Sequence, residues 1–283
     1  SELREQIGIL ASDDFEGRQP GTEGEKKTLA FIEENWKSAG LKPGAAGERW
    51  LQPVPLVERT AGTTQAEFRQ DGRILRFAAG DIILAGQQER QTLTNVPVIF
   101  GGYGVNAEGK VIPNVRDKIV LIFRGAGEEA AKNLPSAGQR SRALTEAGAA
   151  ATVFIAGTEA EWQQLREIFG RKTISRDDGN AAGGLNGAVA SEFAVGLVTA
   201  AGHDWDELSR KGRSVDFAGM DLGISGNLVI ENNVRKFDSY NVIGKIPGRK
   251  KDAGALLFMA HWDHLGICRP GKEDSICNGA VDN

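Results

Sequence analysis

Cysteine is nearly absent from this chain. Two residues in 283, Cys268 and Cys277, allow at most one intrachain disulfide. No apolar run approaches the roughly 18 residues expected of a helix that crosses a bilayer, so a membrane span is not expected. An excess of basic charge is lacking too: 34 Lys and Arg face 38 Asp and Glu, spread along the chain, for a net charge of −4. That leaves no basic footprint for nucleic acid. The first residues lack a charged segment followed by an apolar one, so a signal peptide has either been removed or was never present. No internal repeat is evident. What remains is the composition of a soluble globular protein, 40% hydrophobic and 25% charged with 37 glycines. The length suits one large core or two ordinary ones.

Leu3, Ile7 and Leu10 share one helical face, so residues 1–10 read as a short helix. From Gly24, the spacing of Leu29, Ile32, Trp36 and Ala39 predicts a second amphipathic helix that stops near Gly40, with Pro43 just beyond. Trp50 through Leu56 reads as an extended edge, because Pro53 and Pro55 have no N–H to pair. Asp71-Gly72, flanked by Phe68, Ile74, Leu75 and Phe77, is a hairpin signal. Val96–Phe100, Lys118–Phe123 and Ala151–Ile155 read as short buried strands, with a helix at Gln139–Gly148 between the last two. Trp162, Leu165, Ile168 and Phe169 give another helical face. Phe193–Val198 is expected as a strand, followed by a helix near Asp206–Leu208.

The chemistry gathers near the carboxyl end of the sequence. Leu256-Leu257-Phe258-Met259 is a continuous apolar run, which suits a buried parallel strand. His261 would follow its carboxyl end, where ligand sites of open α/β sheets gather. Asp263 is near enough in sequence to take the second ring N–H of that imidazole and fix its tautomer. Asp282 offers two oxygens hard enough for zinc and able to bridge two ions. The segment Ala-His-Trp-Asp-His-Leu-Gly from Ala260, the later Asn278-Gly-Ala-Val-Asp-Asn, and the preceding Tyr240-Asn-Val-Ile-Gly-Lys-Ile-Pro-Gly resemble the M28 family of zinc aminopeptidases in order and spacing. Leu10-Ala-Ser-Asp-Asp-Phe-Glu-Gly-Arg18 with Pro20-Gly-Thr-Glu-Gly24 is similar to that family's N-terminal signature, and the middle of the chain resembles an inserted protease-associated domain.

The resemblance implies an α/β fold: a zinc-exopeptidase-type mixed sheet with helices, incomplete in this chain, plus an inserted β-rich α/β module. The expected layout is catalytic domain over 1–57, insertion over 58–237 and catalytic domain again over 238–283. By the same resemblance His261 and Asp282 are metal ligands, Asp263 orients the histidine, and Zn2+ is the cofactor, with two ions in the complete protein. The general base and remaining ligands would lie beyond Asp282, so the segment alone is expected to be inactive and its partners are peptide substrates and the rest of the catalytic domain. The activity implied is aminopeptidase. A non-catalytic receptor ectodomain of the same architecture, or a zinc acyltransferase similar to glutaminyl cyclases, are the alternatives. An extracytoplasmic location follows from the resemblance together with the cysteine pair. Cys268 and Cys277 are expected to bond, closing a loop of about ten residues worth roughly 2–3 kcal/mol. Reduced thiols and thiolate ligation remain the alternatives.

Other features read structurally. Gly179–Gly187 lacks the Gly-Lys-Ser/Thr ending of a phosphate loop and is expected to be a flexible loop. His203 is expected to be solvated or to cap a helix, and His264 to pack beside the site. Glu16 and Arg18 are expected to form a salt bridge holding the N-terminal region, and Trp36, Trp50 and Trp162 to serve packing.

Overall fold

A computed structural model of the chain describes residues 2–77, 80–125, 133–179, 184–250 and 254–280. The described elements begin with helix α1 (Glu2–Leu10), a 3-10 segment at Asp13–Arg18, α2 (Glu23–Ser38) and strands β1 (Lys42–Pro43), β2 (Leu51–Gln70), β3 (Arg73–Leu75), β4 (Ile82–Ala85), β5 (Arg90–Phe100) and β6 (Ile119–Phe123). Helix α3 (Ala137–Glu146), β7 (Ala151–Ile155), α4 (Glu159–Gly170), β8 (Thr173–Arg176), β9 (Leu185–Val189), α5 (Ser191–Ala200) and α6 (Trp205–Gly212) follow. The chain continues through β10 (Met220–Val242), β11 (Gly244–Lys245), β12 (Gly266–Ile267) and β13 (Ile276–Cys277). Two compact units result: unit 1 comprises Ser1–Val57, Ser175–Asp178 and Lys236–Asn283, and unit 2 comprises Glu58–Ile174 and Gly179–Arg235.

Unit 2 is built on a mixed sheet of order β3-β2-β10-β5-β6-β7-β9-β4, with β8 beside β2. Strands β5, β6, β7 and β9 run parallel, while β10, β3 and β4 pair antiparallel to their neighbours. Strand β6 shows why its sequence is an unbroken apolar run. Ile119, Leu121 and Phe123 enter one core cluster, and Val120 and Ile122 enter the other. A strand covered on both faces needs an apolar residue at every position. Phe193, Leu197 and Leu208 from α5 and α6 pack on the first face, and Leu144, Trp162 and Leu165 from α3 and α4 on the second. Unit 2 is therefore a mixed α/β sandwich of three layers. The β2–β3 hairpin pairs Phe68 with Leu75 and Gln70 with Arg73. Its turn residues Asp71 and Gly72 have φ of 48° and 80°. Two successive left-handed residues are what a two-residue hairpin demands, and Asp-Gly supplies them at low cost.

Two expectations in unit 2 fail. Phe193–Val198 is not a strand but the middle of α5, where Phe193, Ala194, Leu197 and Val198 point inward while Val195 and Gly196 remain half-buried. A short apolar run carries no periodicity that separates strand from helix, and one-sided burial decides it. Within the glycine-rich stretch, Leu185–Gly187 opens the buried strand β9 rather than a loop; residues 180–183 lie outside the described set.

In unit 1, α2 begins at Thr22, whose hydroxyl accepts the Glu25 amide at 3.4 Å. The buried Glu25 carboxylate accepts the Gly21 amide and the Ser239 hydroxyl, the latter at 2.6 Å, which ties the helix start to β10. Phe15 meets Phe31 edge-on with ring centres 6.0 Å apart, and Trp36 lies 6.5 Å from Trp50. Trp36 and Trp50 thus pack against each other. The strand beginning at Leu51 is longer than the sequence suggests, running to Gln70, and Pro55 uses its carbonyl to accept the Asp177 amide at 2.8 Å. Leu256–Met259 does not form a strand. Its four side chains are 75–85% exposed, and no described strand pairs with it. An apolar run becomes a buried strand only when neighbours cover both faces and both edges. Helix α1 forms as expected, yet none of its residues is buried.

Candidate functional site

The N-terminal signature meets the segments around Trp262 and Asn278 within unit 1. Three successive residues, Glu16, Gly17 and Arg18, adopt positive φ of 49°, 65° and 53°. Side chains rarely tolerate that conformation in sequence. At Gly17 a Cβ would fall 2.6 Å from the Cys277 carbonyl oxygen and 2.9 Å from Gly266, so the turn is pressed against the β12–β13 hairpin backbone. That close approach sends Arg18 inward, leaving it 7% exposed.

The Arg18 guanidinium donates to backbone carbonyls from three stretches of chain. Nε reaches Trp262 O at 2.9 Å; Nη1 reaches Asn278 O at 2.8 Å and also Leu10 O; Nη2 reaches Gly279 O at 3.4 Å. Around it, Gln19 Nε2 donates to Leu265 O at 3.2 Å, and the His264 amide donates to Arg18 O at 3.2 Å. Asn278 Nδ2 donates to Asp13 Oδ1 at 2.9 Å, and Trp262 Nε1 to Tyr240 O at 2.9 Å. Arg18 therefore does hold the region together, as expected, but through carbonyls that no side-chain pattern in the sequence identifies. The one available signal was its place in the Glu-Gly-Arg turn.

His261 is half-exposed. Its Nδ1 lies 2.9 Å from the Asp263 backbone oxygen and 3.6 Å from the Asp263 carboxylate. Both neighbours are acceptors, which suits a proton on Nδ1. The main-chain oxygen of Asp263 lies nearer Nδ1 than its carboxylate does. Asp282 lies outside the described residues, and among the described residues no three His, Cys, Asp or Glu side chains converge as a metal cluster. The donor chemistry present, an imidazole with Nδ1 beside oxygen acceptors, fits zinc. Asn278 adds a buried Oδ1 that no hydrogen bond among the described residues satisfies, four residues before Asp282.

Cys268 and Cys277 form a disulfide with Cα atoms 5.8 Å apart, closing the β12–β13 hairpin. His264 packs its ring against Gly279, where a Cβ would come within 2.6 Å of it. His203 is exposed beside the α6 N-cap, a role taken by Asp204, whose carboxylate accepts the Glu207 amide at 2.7 Å. A shallow concavity of about 460 Å3 in unit 2, bordered by Arg69, Asn95 and Asp221, includes none of the expected site residues.

Residues 241–283 match the model of Peptidase family M28, the family that the sequence resembles. Solved structures similar to the chain include an aminopeptidase from Aneurinibacillus sp. strain AM-1, at 16% identity, covering 88% of this chain and 48% of that one with a TM-score of 0.38. A zinc aminopeptidase from Bacillus subtilis is similar at 18% identity over 99% of this chain and 53% of its own, with a TM-score of 0.37. A peptidase M28 precursor from Shewanella amazonensis SB2B shares 16% identity over 86% and 53%, with a TM-score of 0.36. The chain spans about half the length of these proteins. A comparison with curated protein sequences gives no match.

Proposed function

We propose that the M28 signature over residues 241–283 belongs to a zinc-dependent aminopeptidase that removes N-terminal residues from peptides. The family match supports a peptidase function. The observation that supports the finer reading is His261, whose Nδ1 faces the Asp263 oxygens at 2.9 and 3.6 Å, so that Nε2 would be the metal donor. His261 and Asp282 would hold zinc, with two ions in the complete protein. Zinc when bound supplies Lewis-acid polarisation of the scissile carbonyl and an acidified water. The chain's own residues would orient the imidazole through the Asp263 oxygens and hold the Trp262 and Asn278 segments together through Arg18.

The rest of the catalytic domain is the partner that unit 1 calls for. Of the exposed large hydrophobics among the described residues, Ile74 and Ile168 belong to unit 2 and the others, including Leu256, Leu257, Phe258 and Met259, to unit 1. Contiguous exposed apolar surface of that kind marks an interaction site. Residues 1–283 alone would then neither hold two zinc ions nor hydrolyse peptides, and adding the remainder would restore both. Unit 2 serves as the protease-associated-type module. The Cys268–Cys277 disulfide favours an oxidising, extracytoplasmic setting; no helix among the described residues is long and apolar enough to cross a membrane.

The test is hydrolysis of aminoacyl-arylamides by the intact protein, which should vanish on chelation and return with zinc. Full activity in a demonstrably metal-free preparation would overturn the proposal.

A further inference from the structure

We propose that Arg18 is the positioning residue of the metal centre: its guanidinium sets the distance between the segment after His261 and the segment before Asp282. This inference rests on the aminopeptidase reading above. A guanidinium has five N–H donors in a planar fork. Four of them go to the carbonyls of Leu10, Trp262, Asn278 and Gly279, which fixes one plane between stretches of chain some 250 residues apart in sequence. Trp262 directly follows His261, and Asn278 and Gly279 stand four and three residues before Asp282. Neither segment is held by regular secondary structure at those points. With four donors on the main chain and 7% of its surface exposed, Arg18 is placed to hold backbone rather than to bind a substrate carboxylate. It touches no reacting atom and acts through the ligands.

The surroundings repeat the same task independently. The absence of a side chain at Gly17 lets the turn reach the Cys277 carbonyl and Gly266. Gln19 ties down Leu265, and Asp13 ties down Asn278. All four groups come from one N-terminal turn and all grip the two ligand segments. A lysine at position 18 would keep the charge, but its single ammonium cannot span carbonyls that the fork reaches from separate nitrogens.

The experiment compares the intact wild-type protein with Arg18→Lys, and uses Arg140→Lys as a matched control. Arg140 is also buried and donates to backbone carbonyls, but in unit 2. Zinc retention is read by competition with a chromogenic chelator, and ligand geometry by the visible spectrum of the cobalt-substituted protein. Hydrogen exchange is followed on the metal-free protein. Arg18→Lys should weaken zinc retention by about 10–100-fold, the usual effect of losing a group that orients a ligand. It should alter the cobalt spectrum and speed exchange in 260–266 and 276–280, whereas Arg140→Lys should lower stability and leave zinc retention within twofold. If Arg18→Lys is too unstable to load, Arg18→Ala is titrated with methylguanidinium, and recovery of zinc retention is expected. Wild-type zinc retention and spectrum in Arg18→Lys, or no recovery in the alanine variant, would overturn the inference while leaving the aminopeptidase reading intact. A wild-type protein that takes up no zinc would instead defeat that reading, and the exchange measurement would then decide the positioning role by itself: unchanged exchange at both segments refutes it.

Discussion

Replacing Cys268 and Cys277 together by serine should cost unit 1 about 2.7 kcal/mol. The bridge spans a sequence separation of 9 and closes a loop of about ten residues. The chain-entropy relation for such a loop gives roughly 9 cal/mol/K, or about 2.7 kcal/mol near room temperature, because the unfolded chain regains the freedom that the bridge denied it. The native hairpin has its own restraints, in the Gly266–Cys277 and Ile267–Ile276 pairs and the Cys268 amide bonded to Ser275 O at 3.1 Å. It should therefore persist in the variant, and the loss should come mainly from the unfolded side. For a unit of roughly a hundred residues, that energy lowers the melting temperature by on the order of 10 °C. Scanning calorimetry of the wild type, the double-serine variant and the reduced wild type provides the assay. The unit 1 transition should fall equally in the last two, with the unit 2 transition unmoved as an internal reference. Coincident melting of variant and wild type would refute the reasoning, as would two freely alkylated thiols in the native protein.

In unit 2, Arg140 donates to the carbonyls of Tyr103 at 2.7 Å, Phe123 at 3.0 Å, Arg124 at 2.6 Å and Pro135 at 3.1 Å, and burial pushes its pKa down. Arg140→Met should destabilise unit 2 by about 3 kcal/mol in urea unfolding, since orphaned carbonyls outweigh the desolvation relieved; a loss below about 1 kcal/mol would show that the carbonyls find other donors. The Glu58 carboxyl is held below its ordinary value of 4.5, first by the hydrogen bond from Arg235, against the opposing effect of burial and with help from Lys172. A depressed folded pKa gives stability that is present above the unfolded value and lost as pH falls through the folded one. The wild type should accordingly lose more stability between about pH 5 and 3 than Glu58→Gln does, and parallel acid unfolding curves would contradict this. Phe258→Asp should make residues 1–283 more soluble while preventing restoration of activity by the rest of the catalytic domain. Unimpaired restoration would show that the exposed run is not the joining surface.

What the sequence disclosed followed the strength of its local signals. Asp71-Gly72 announced its hairpin because two left-handed residues have few other uses, and Trp162 and Leu165 announced α4 because their spacing matches a single buried face. Phe193–Val198 misled because a short apolar run reads alike in helix and strand, and Leu256–Met259 because its pattern describes a covered strand while the described residues supply no cover. The expected contact of His261 was with the Asp263 carboxylate, but the main-chain oxygen of Asp263 lies nearer Nδ1, and no side-chain motif encodes that. Arg18 was the least legible part of the site. Its partners are carbonyls distant in sequence, so the clamp exists only once the chain has folded.

If His261 and Asp282 help to hold two zinc ions, counting the bound metal shows it. Elemental analysis of the intact protein, dialysed against metal-free buffer after zinc loading, should give two zinc ions per chain, with His261→Ala and Asp282→Asn each retaining fewer at unchanged fold. A wild type without bound zinc, or variants that keep both ions, would contradict the account.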